Sequence, residues 1–175
     1  YDPEIGTSLL EQAGWLDVDE DPATPRRAIN VRGVAYNTPL VLNYQTTSTA
    51  QRRQVAAILE SSLAECSIGL NVEFLSPNEL YSPGPVGLLF GRQFDLAQYA
   101  LGVEGIEPPC NWFSSTSIPT EASAWSGANI TGFRNDEYDA ACQAAQLALR
   151  EDTSYLASYR QTQIIMADEL PAIPL

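Results

Sequence analysis

The sequence predicts an α/β fold in which helices cover both faces of a mixed sheet, and the central unit of that sheet is parallel. Residues 38–46 alternate apolar with polar side chains and are rich in β-branched and aromatic types, as strands are. A stretch with one apolar helical stripe follows, and residues 70–75 again have the pattern of a strand. Strand, helix and strand joined by short links are typical of a βαβ unit, whose strands pair in parallel.

The first element is a predicted helix with clear start and stop signals. Asp2 is suited to the N-cap, Pro3 to the first turn, and Gly14 to the end of the helix. Three apolar residues recur at helical spacing and are expected to share one face: Ile5, Leu9 and Ala13.

An acidic, proline-bearing stretch at residues 17–25 has the alternate acids of a calcium loop, Asp17, Asp19 and Asp21. The remainder of the motif is missing, because Pro22 stands where glycine is needed and Ala28 where the bidentate glutamate belongs. A solvated acidic loop is therefore favoured over a metal site.

The helix of the βαβ unit is expected to begin at a capping box formed by Ser48 and Gln51 and to stop at Gly69. Its predicted buried stripe comprises Val55, Ile58, Leu59, Ser62 and Cys66. After the second strand, residues 76–80 have the pattern of a short capped turn. Residues 94–101 resume strand character, and residues 102–131 are predicted to be mostly loop.

Two helices are predicted to close the chain, capped by Asn135 and Asp152. Their buried stripes comprise Tyr138, Ala141, Cys142, Ala145 and Leu149 in the first helix, and Tyr155, Tyr159, Thr162, Ile165 and Met166 in the second. Beyond Pro171 the tail has the pattern of an extended segment, expected to pack in the sheet or along its edge. We also expect that the chain is cut at this point from a larger protein.

Composition excludes several function classes. The formal net charge is −13, and the nine cations are all arginines, so nucleic acid binding is not expected. The pairs at residues 26–27 and 52–53 are interpreted as solvated surface. Without histidine or lysine the chain lacks the residues of a catalytic triad, a zinc site, a Schiff base or a phosphate loop. An enzyme, a metal site and a cofactor are accordingly not expected.

Three cysteines leave one unpaired if a single disulfide forms. A bridge from Cys110 to Cys142 would fasten the long loop to a helix, and it is preferred here to fully reduced thiols. Spacing alone does not fix the connectivity. Cys66 is interpreted as a small buried apolar residue.

The long loop is a candidate for a binding site, because loops of this length in compact domains are often functional. Trp112 and Trp125 would supply apolar walls, and Asn129 a hydrogen-bonding group. A loop that simply packs over the sheet is the alternative interpretation.

Five segments in order extend over almost the whole chain: LLEQAGW at residues 9–15, IGLNV at 68–72, FGRQFDLA at 90–97, NITGFRN at 129–135, and a closing run from Tyr159 to Pro174. Together they resemble the family 5 extracellular solute-binding proteins, the peptide-binding receptors of ABC importers. The resemblance implies that residues 1–175 form a single α/β lobe of a type II periplasmic-binding-protein fold, with the other lobe absent. It also implies a monomer in the periplasm or lipid-anchored outside the cell membrane.

The resemblance further implies that a small solute, most simply a peptide, binds between two lobes and is passed to membrane permease subunits. Tyr99 and Leu101, which takes the position of a tryptophan usual in the family, would line the site. Glu104 stands near the acid that holds a peptide's amino terminus. A sensing clamp of a signalling receptor and a carboxylate-based hydrolase are the alternatives.

Overall fold

The computed structural model describes residues 1–102 and 108–174, which form two compact units. The first comprises Tyr1–Leu80 with Phe94–Tyr99, and the second comprises Tyr81–Gln93 with Ala100–Leu175. The prediction of a single lobe is not tested by this division and stays a prediction. None of the helices in the described part of the chain is long and apolar enough to cross a membrane.

The first unit begins with helix α1 (Pro3–Gln12) and a short antiparallel pair, β1 (Trp15–Leu16) and β2 (Arg27–Ala28). Asp2 caps α1 as predicted, because its carboxylate accepts a hydrogen bond from the Ile5 amide at 3.0 Å. The predicted shared apolar face is not buried, however. Ile5 and Leu9 are each 59% exposed, and Ala13 is exposed as well.

The predicted βαβ unit is confirmed by the strands and helix that follow. Strand β3 (Val41–Thr47) leads through α2 (Ala50–Ala64) to β4 (Gly69–Leu75), and the two strands pair in parallel with Tyr44 opposite Val72. After the short helix α3 (Pro77–Leu80), β5 (Leu96–Ala97) joins the other side of β3, also in parallel. The three-stranded order is β4-β3-β5, so β3 is central and the α/β class is confirmed.

Three details of α2 differ from prediction. Its N-cap is Thr49 rather than Ser48, and the Thr49 hydroxyl accepts from the Arg52 amide. The helix ends at Ala64, and Gly69 opens β4 rather than stopping the helix. Ile58 is 65% exposed, and the buried residue on this helix is Ala56.

Arg26 corrects the interpretation of the arginine pairs as solvated surface. Its side chain is buried, with Nε donating to the Cys66 carbonyl at 3.0 Å. A terminal nitrogen donates to the Trp15 carbonyl and to the Glu11 carboxylate, each at 3.3 Å. Arg26 therefore ties three segments of the first unit together through carbonyl groups that need a donor once they are buried.

The second unit contains three 3₁₀ turns, Cys110–Phe113, Ser115–Ser117 and Glu121–Ser123, and two helices, α4 (Asp136–Leu147) and α5 (Thr153–Glu169). Asn135 caps α4 through its side chain as predicted. Asp152 occupies the N-cap of α5, but its carboxylate accepts from the Leu149 amide instead of from the helix.

The predicted buried stripes of the second unit are confirmed at Tyr138, Cys142 and Ala145 on α4 and at Thr162 and Ile165 on α5. Leu149 is the exception. It lies beyond the end of α4 and is 69% exposed.

Candidate functional site

A disulfide fastens the candidate loop to α4. Cys110 and Cys142 are bonded with their Cα atoms 5.6 Å apart, and both side chains are buried. The predicted pairing is confirmed, and Cys66 is free and buried in the first unit as expected. The loop is therefore covalently fixed to α4 at Cys110.

Tyr138 supports that point from the helix. Its hydroxyl donates to the Cys110 carbonyl at 2.7 Å, and Phe133 packs edge-on against its ring with centroids 5.5 Å apart. Burial, together with the nearby Asp139 carboxylate, raises the pKa of Tyr138 to about 12. The phenol is accordingly a neutral hydrogen-bond donor at physiological pH.

Asn129 organises the loop from its interior. It is completely buried, and its amide nitrogen lies 2.9–3.0 Å from three carbonyl oxygens, those of Phe113, Ser114 and Phe133. Its side-chain oxygen accepts from the Thr131 hydroxyl at 2.9 Å and from the Phe133 amide at 3.2 Å. All donors and acceptors of this side chain are used within the protein. Asn129 therefore positions the loop, and its predicted contact with a ligand is not tested and stays a prediction.

A second polar anchor joins the loop to the first turn of α4. Both the backbone amide and the hydroxyl of Ser115 donate to the Asp139 carboxylate, the amide at 2.9 Å. A carboxylate that accepts two hydrogen bonds holds its partner more firmly than a neutral acceptor does.

Trp125 and Trp112 are carried by this anchored loop and are half-buried. The Trp125 ring lies against Gly84, where a Cβ atom would come within 2.5 Å of Cε3. Only a glycine permits this approach, and part of the indole stays accessible. Both tryptophans thus have a fixed backbone and an apolar surface that a ligand could contact.

The remaining predicted ligand residues are Tyr99, Leu101 and Glu104. Tyr99 is half-buried at the end of the first unit, and Leu101, in the second, is 42% exposed. Glu104 lies outside the described residues. Whether these side chains and the tryptophans bind one ligand is not tested and stays a prediction.

A cavity of about 400 Å³ opens in the second unit, and sequence reasoning did not anticipate it. Its walls are mainly apolar and come from the start of the loop, α4, α5 and the tail, including Pro109, Phe113, Met166, Leu170 and Pro174. Residues 171–174 form no strand, so the prediction that the tail packs in the sheet was wrong, and the alternative of packing along its edge stays a prediction. Ala172 and Pro174 line the cavity instead, because Leu170 in the left-handed conformation ends α5 there. Leu175 lies outside the described residues.

A polar cluster at the carboxyl end of β3 was also missed. The Thr46 hydroxyl donates to the Gln98 carbonyl at 3.0 Å, and the Tyr44 hydroxyl to the Gln98 side-chain oxygen at 2.8 Å. Arg52 donates to the Thr47 hydroxyl at 2.8 Å. The sequence gave no signal for the contact between Arg52 and Thr47, because it depends on how α2 is placed against the end of β3.

The described residues contain no group of three or more histidine, cysteine or acidic side chains arranged to hold a metal ion. In the acidic stretch at residues 17–25 the Thr24 hydroxyl donates to the Asp19 carboxylate at 2.9 Å. Hydrogen bonds from Thr24 and from the Asp21 backbone lower the pKa of Asp19. These carboxylates stabilise consecutive turns, in accord with the predicted solvated loop.

Comparison with solved structures gives extensive matches. An oligopeptide-binding protein from Thermus thermophilus complexed with a pentapeptide has a TM-score of 0.80 and 21% identity, covering 99% of this chain and 29% of that one. NikZ from Campylobacter jejuni in complex with Ni(L-His) has a TM-score of 0.72 and 18% identity, covering 98% and 31%. A mannohexaose-bound periplasmic oligopeptide-binding protein from Thermotoga maritima has a TM-score of 0.73 and 20% identity, covering 100% and 30%.

No protein-family model and no curated protein sequence matches the chain. The chain spans about 30% of the length of the solved structures that it matches. The expected resemblance to extracellular solute-binding proteins is confirmed at the level of the fold. This chain therefore has the α/β fold of one portion of the periplasmic oligopeptide-binding proteins.

Proposed function

We propose that this chain is part of an extracytoplasmic solute-binding component of an ABC importer, and that the solute is a peptide or a similar small molecule. The observation that carries the proposal is the superposition of 99% of the chain on a pentapeptide-bound oligopeptide-binding protein at a TM-score of 0.80. The fold is compatible with several ligand classes, since its relatives also hold Ni(L-His) and mannohexaose. We choose a peptide because the structure with the TM-score of 0.80 holds one.

The proposed ligand-contacting residues are Tyr99, Leu101, Trp112 and Trp125, with Glu104 as the partner of a ligand ammonium group. The tryptophans support the proposal because their backbones are fixed by buried contacts while their rings stay partly accessible. Rigid aromatic side chains lose little conformational entropy when a ligand binds. A carboxylate and an ammonium group removed from water together compensate each other's desolvation.

In the complete protein we place the ligand between this portion and a second lobe, with closure around the ligand presenting the closed form to the permease. Such a protein acts as a monomer on the outer side of the cell membrane, in the periplasm or on a lipid anchor. The coverage of about 30% of each matched structure supports the existence of the further lobe.

The test uses the complete protein purified without refolding. Native mass spectrometry of that protein should reveal a copurified solute whose mass identifies its class. Added peptides should raise the melting temperature. At a peptide concentration one hundred times the Kd, binding should stabilise the folded protein by about 2.7 kcal/mol. Chromatography of the incubated peptides should recover them intact. Cleaved peptide would support the hydrolase alternative, and the absence of any stabilising peptide or copurified solute would refute the proposal.

Glu104 and Trp125 allow a residue-level test. Glu104→Gln should weaken binding of a peptide with a free amino terminus and leave its N-acetylated form unchanged. Trp125→Ala should weaken both forms alike, because it removes apolar contact rather than charge. Isothermal titration calorimetry measures the four affinities. Equal losses for both peptides in Glu104→Gln would contradict the role of Glu104.

A further inference from the structure

Trp125 lies on a strained turn of the second unit. Trp125 and Ala124 before it both adopt left-handed backbone conformations, with φ of 60° and 51°. Such a conformation costs free energy for any residue with a side chain, and it persists only where the surrounding structure holds it. Strain of this kind is concentrated at functional sites. The turn therefore singles out Trp125, rather than the also half-buried Trp112, as a residue whose placement matters.

The turn that carries Trp125 is closed by its own hydrogen bonds. The Trp125 amide donates to the Thr120 carbonyl at 2.8 Å, and the Ser123 hydroxyl lies 2.8 Å from the Ser126 carbonyl oxygen. These contacts fix the backbone of Trp125. Only rotation of its side chain could move the ring.

Gly84 restricts the ring itself. A Cβ atom at this position would come within 2.5 to 2.8 Å of three contiguous indole atoms, Cε3, Cδ2 and Cγ, whereas carbon atoms in ordinary contact are about 3.5–4.0 Å apart. The backbone of Gly84 is not in the left-handed region that favours glycine. The space taken by the Trp125 ring, and not the backbone conformation, is therefore what requires glycine here.

The segment around Gly84 is anchored as well. Leu89 is 1% exposed, and Arg92 donates to the Pro119 carbonyl at 2.9 Å, next to the turn that carries the tryptophan. The backbone at Gly84 is thus held in place from within the second unit. A methyl group added to Gly84 would accordingly displace the Trp125 ring, by about 1 Å, to restore an ordinary contact distance.

We propose that Gly84 is a specificity-determining residue of the solute site, because it leaves the Trp125 ring at the depth where an apolar side chain of the solute can lie against it. The inference rests on the proposed function and adds a residue that acts through Trp125. The accessible part of the ring is the part that Gly84 does not cover. Displacement away from Gly84 moves that part into the space of a bulky solute side chain, whereas a small side chain loses little.

The experiment measures the affinities of paired peptides for the complete protein by isothermal titration calorimetry. The two peptides of a pair differ in one side chain only, phenylalanine or alanine, and each position of the peptide is tested in turn. Wild type should prefer phenylalanine at one position. Gly84→Ala should bind that peptide about 5- to 30-fold more weakly, as is usual when an aromatic contact that carries binding energy is lost. It should bind the alanine partner nearly as tightly as wild type does.

Trp125→Leu provides the matched background, because the methyl group is then added with the ring absent. Trp125→Leu should lose the preference for phenylalanine, and Gly84→Ala should have no further effect in this background. A second measurement is the fluorine-19 NMR spectrum of protein labelled with 5-fluorotryptophan, in which the Trp125 resonance is the one missing from Trp125→Leu. Gly84→Ala should shift that resonance. The urea midpoint of each variant checks that it folds.

The same preference for phenylalanine in Gly84→Ala as in wild type would overturn the inference, although the proposed function would stand because both proteins bind peptide. A wild type without any such preference, or a Trp125→Leu variant that keeps it, would also overturn the inference. So would an equal loss on adding Gly84→Ala to wild type and to Trp125→Leu, since the effect would then not pass through the ring. If wild type binds none of the peptides, the proposed function itself fails and the inference with it.

Discussion

Removing the disulfide should destabilise the second unit by an amount that the structure allows us to calculate. Cys110 and Cys142 are 32 residues apart in sequence. In the chain-entropy treatment, a closed loop of that length lowers the entropy of the unfolded chain by an amount worth about 3.7 kcal/mol at 25 °C. For a protein of this size, that loss corresponds to a fall in melting temperature of about 7–15 °C.

The perturbation is the double variant Cys110→Ala with Cys142→Ala, compared with wild type in oxidised and reduced form. Alanine preserves the apolar character of the buried site, where Tyr138 and Ile165 pack beside the bridge. Reduction of wild type opens the same bond without changing the sequence, because Cys66 is not disulfide-bonded. Oxidised wild type should be the most stable of the three forms.

The assay is urea unfolding followed by tryptophan fluorescence in a Trp15→Phe background. The two remaining tryptophans, Trp112 and Trp125, both lie in the second unit, so the signal reports on the part that the bridge constrains. Reductant should lower the midpoint of wild type and leave the double alanine variant unchanged. Equal midpoints and slopes for oxidised and reduced wild type would refute the loop-entropy reasoning.

Three further predictions concern buried polar groups. Asn129→Ala should lower the free energy of unfolding by about 3 kcal/mol or more, because several buried loop groups lose their partner; a urea midpoint near that of wild type would contradict this role. Arg26→Met should lower the free energy of unfolding by about 2–4 kcal/mol, because it leaves buried carbonyl groups without a donor. Glu11→Gln removes only the half-exposed acid of the ion pair and should lower it by less than about 1 kcal/mol. Equal losses in the two variants would show that the ion pair dominates. Folding raises the pKa of Tyr138 from 10 to about 12, so the neutral phenol contributes stability to the fold. That contribution is fully present below pH 10 and is lost as the pH rises to about 12. In that window the stability of Tyr138→Phe should fall less than that of wild type, by up to about 2.7 kcal/mol, and parallel pH profiles would contradict the assignment.

Local sequence signals determined the elements whose cause is local. Asp2 and Asn135 cap helices because a short acceptor side chain at the right position is sufficient for the hydrogen bond. The parallel pairing of β3 with β4 follows from the order and length of three consecutive segments. The disulfide was a preferred pairing rather than a determined one, and only the 5.6 Å Cα separation decided it.

Tertiary structure decided the outcomes that depend on distant partners. Arg26 is buried because carbonyls from two other segments converge on its guanidinium, a fact invisible to charge patterning. Ile5 lies at a helical spacing typical of a core face, yet in the described chain it is exposed. Periodicity shows which residues share a face of a helix, but only packing determines whether that face is covered.

The candidate site shows the same division. Sequence alone singled out the long loop with its tryptophans and its asparagine, and it excluded histidine and lysine chemistry outright. It could not show that Asn129 holds the loop, because the five groups within hydrogen-bonding distance of its side chain are brought together only on folding. The position of Arg52 at the carboxyl edge of the sheet likewise required the three-dimensional return of α2 to the end of β3.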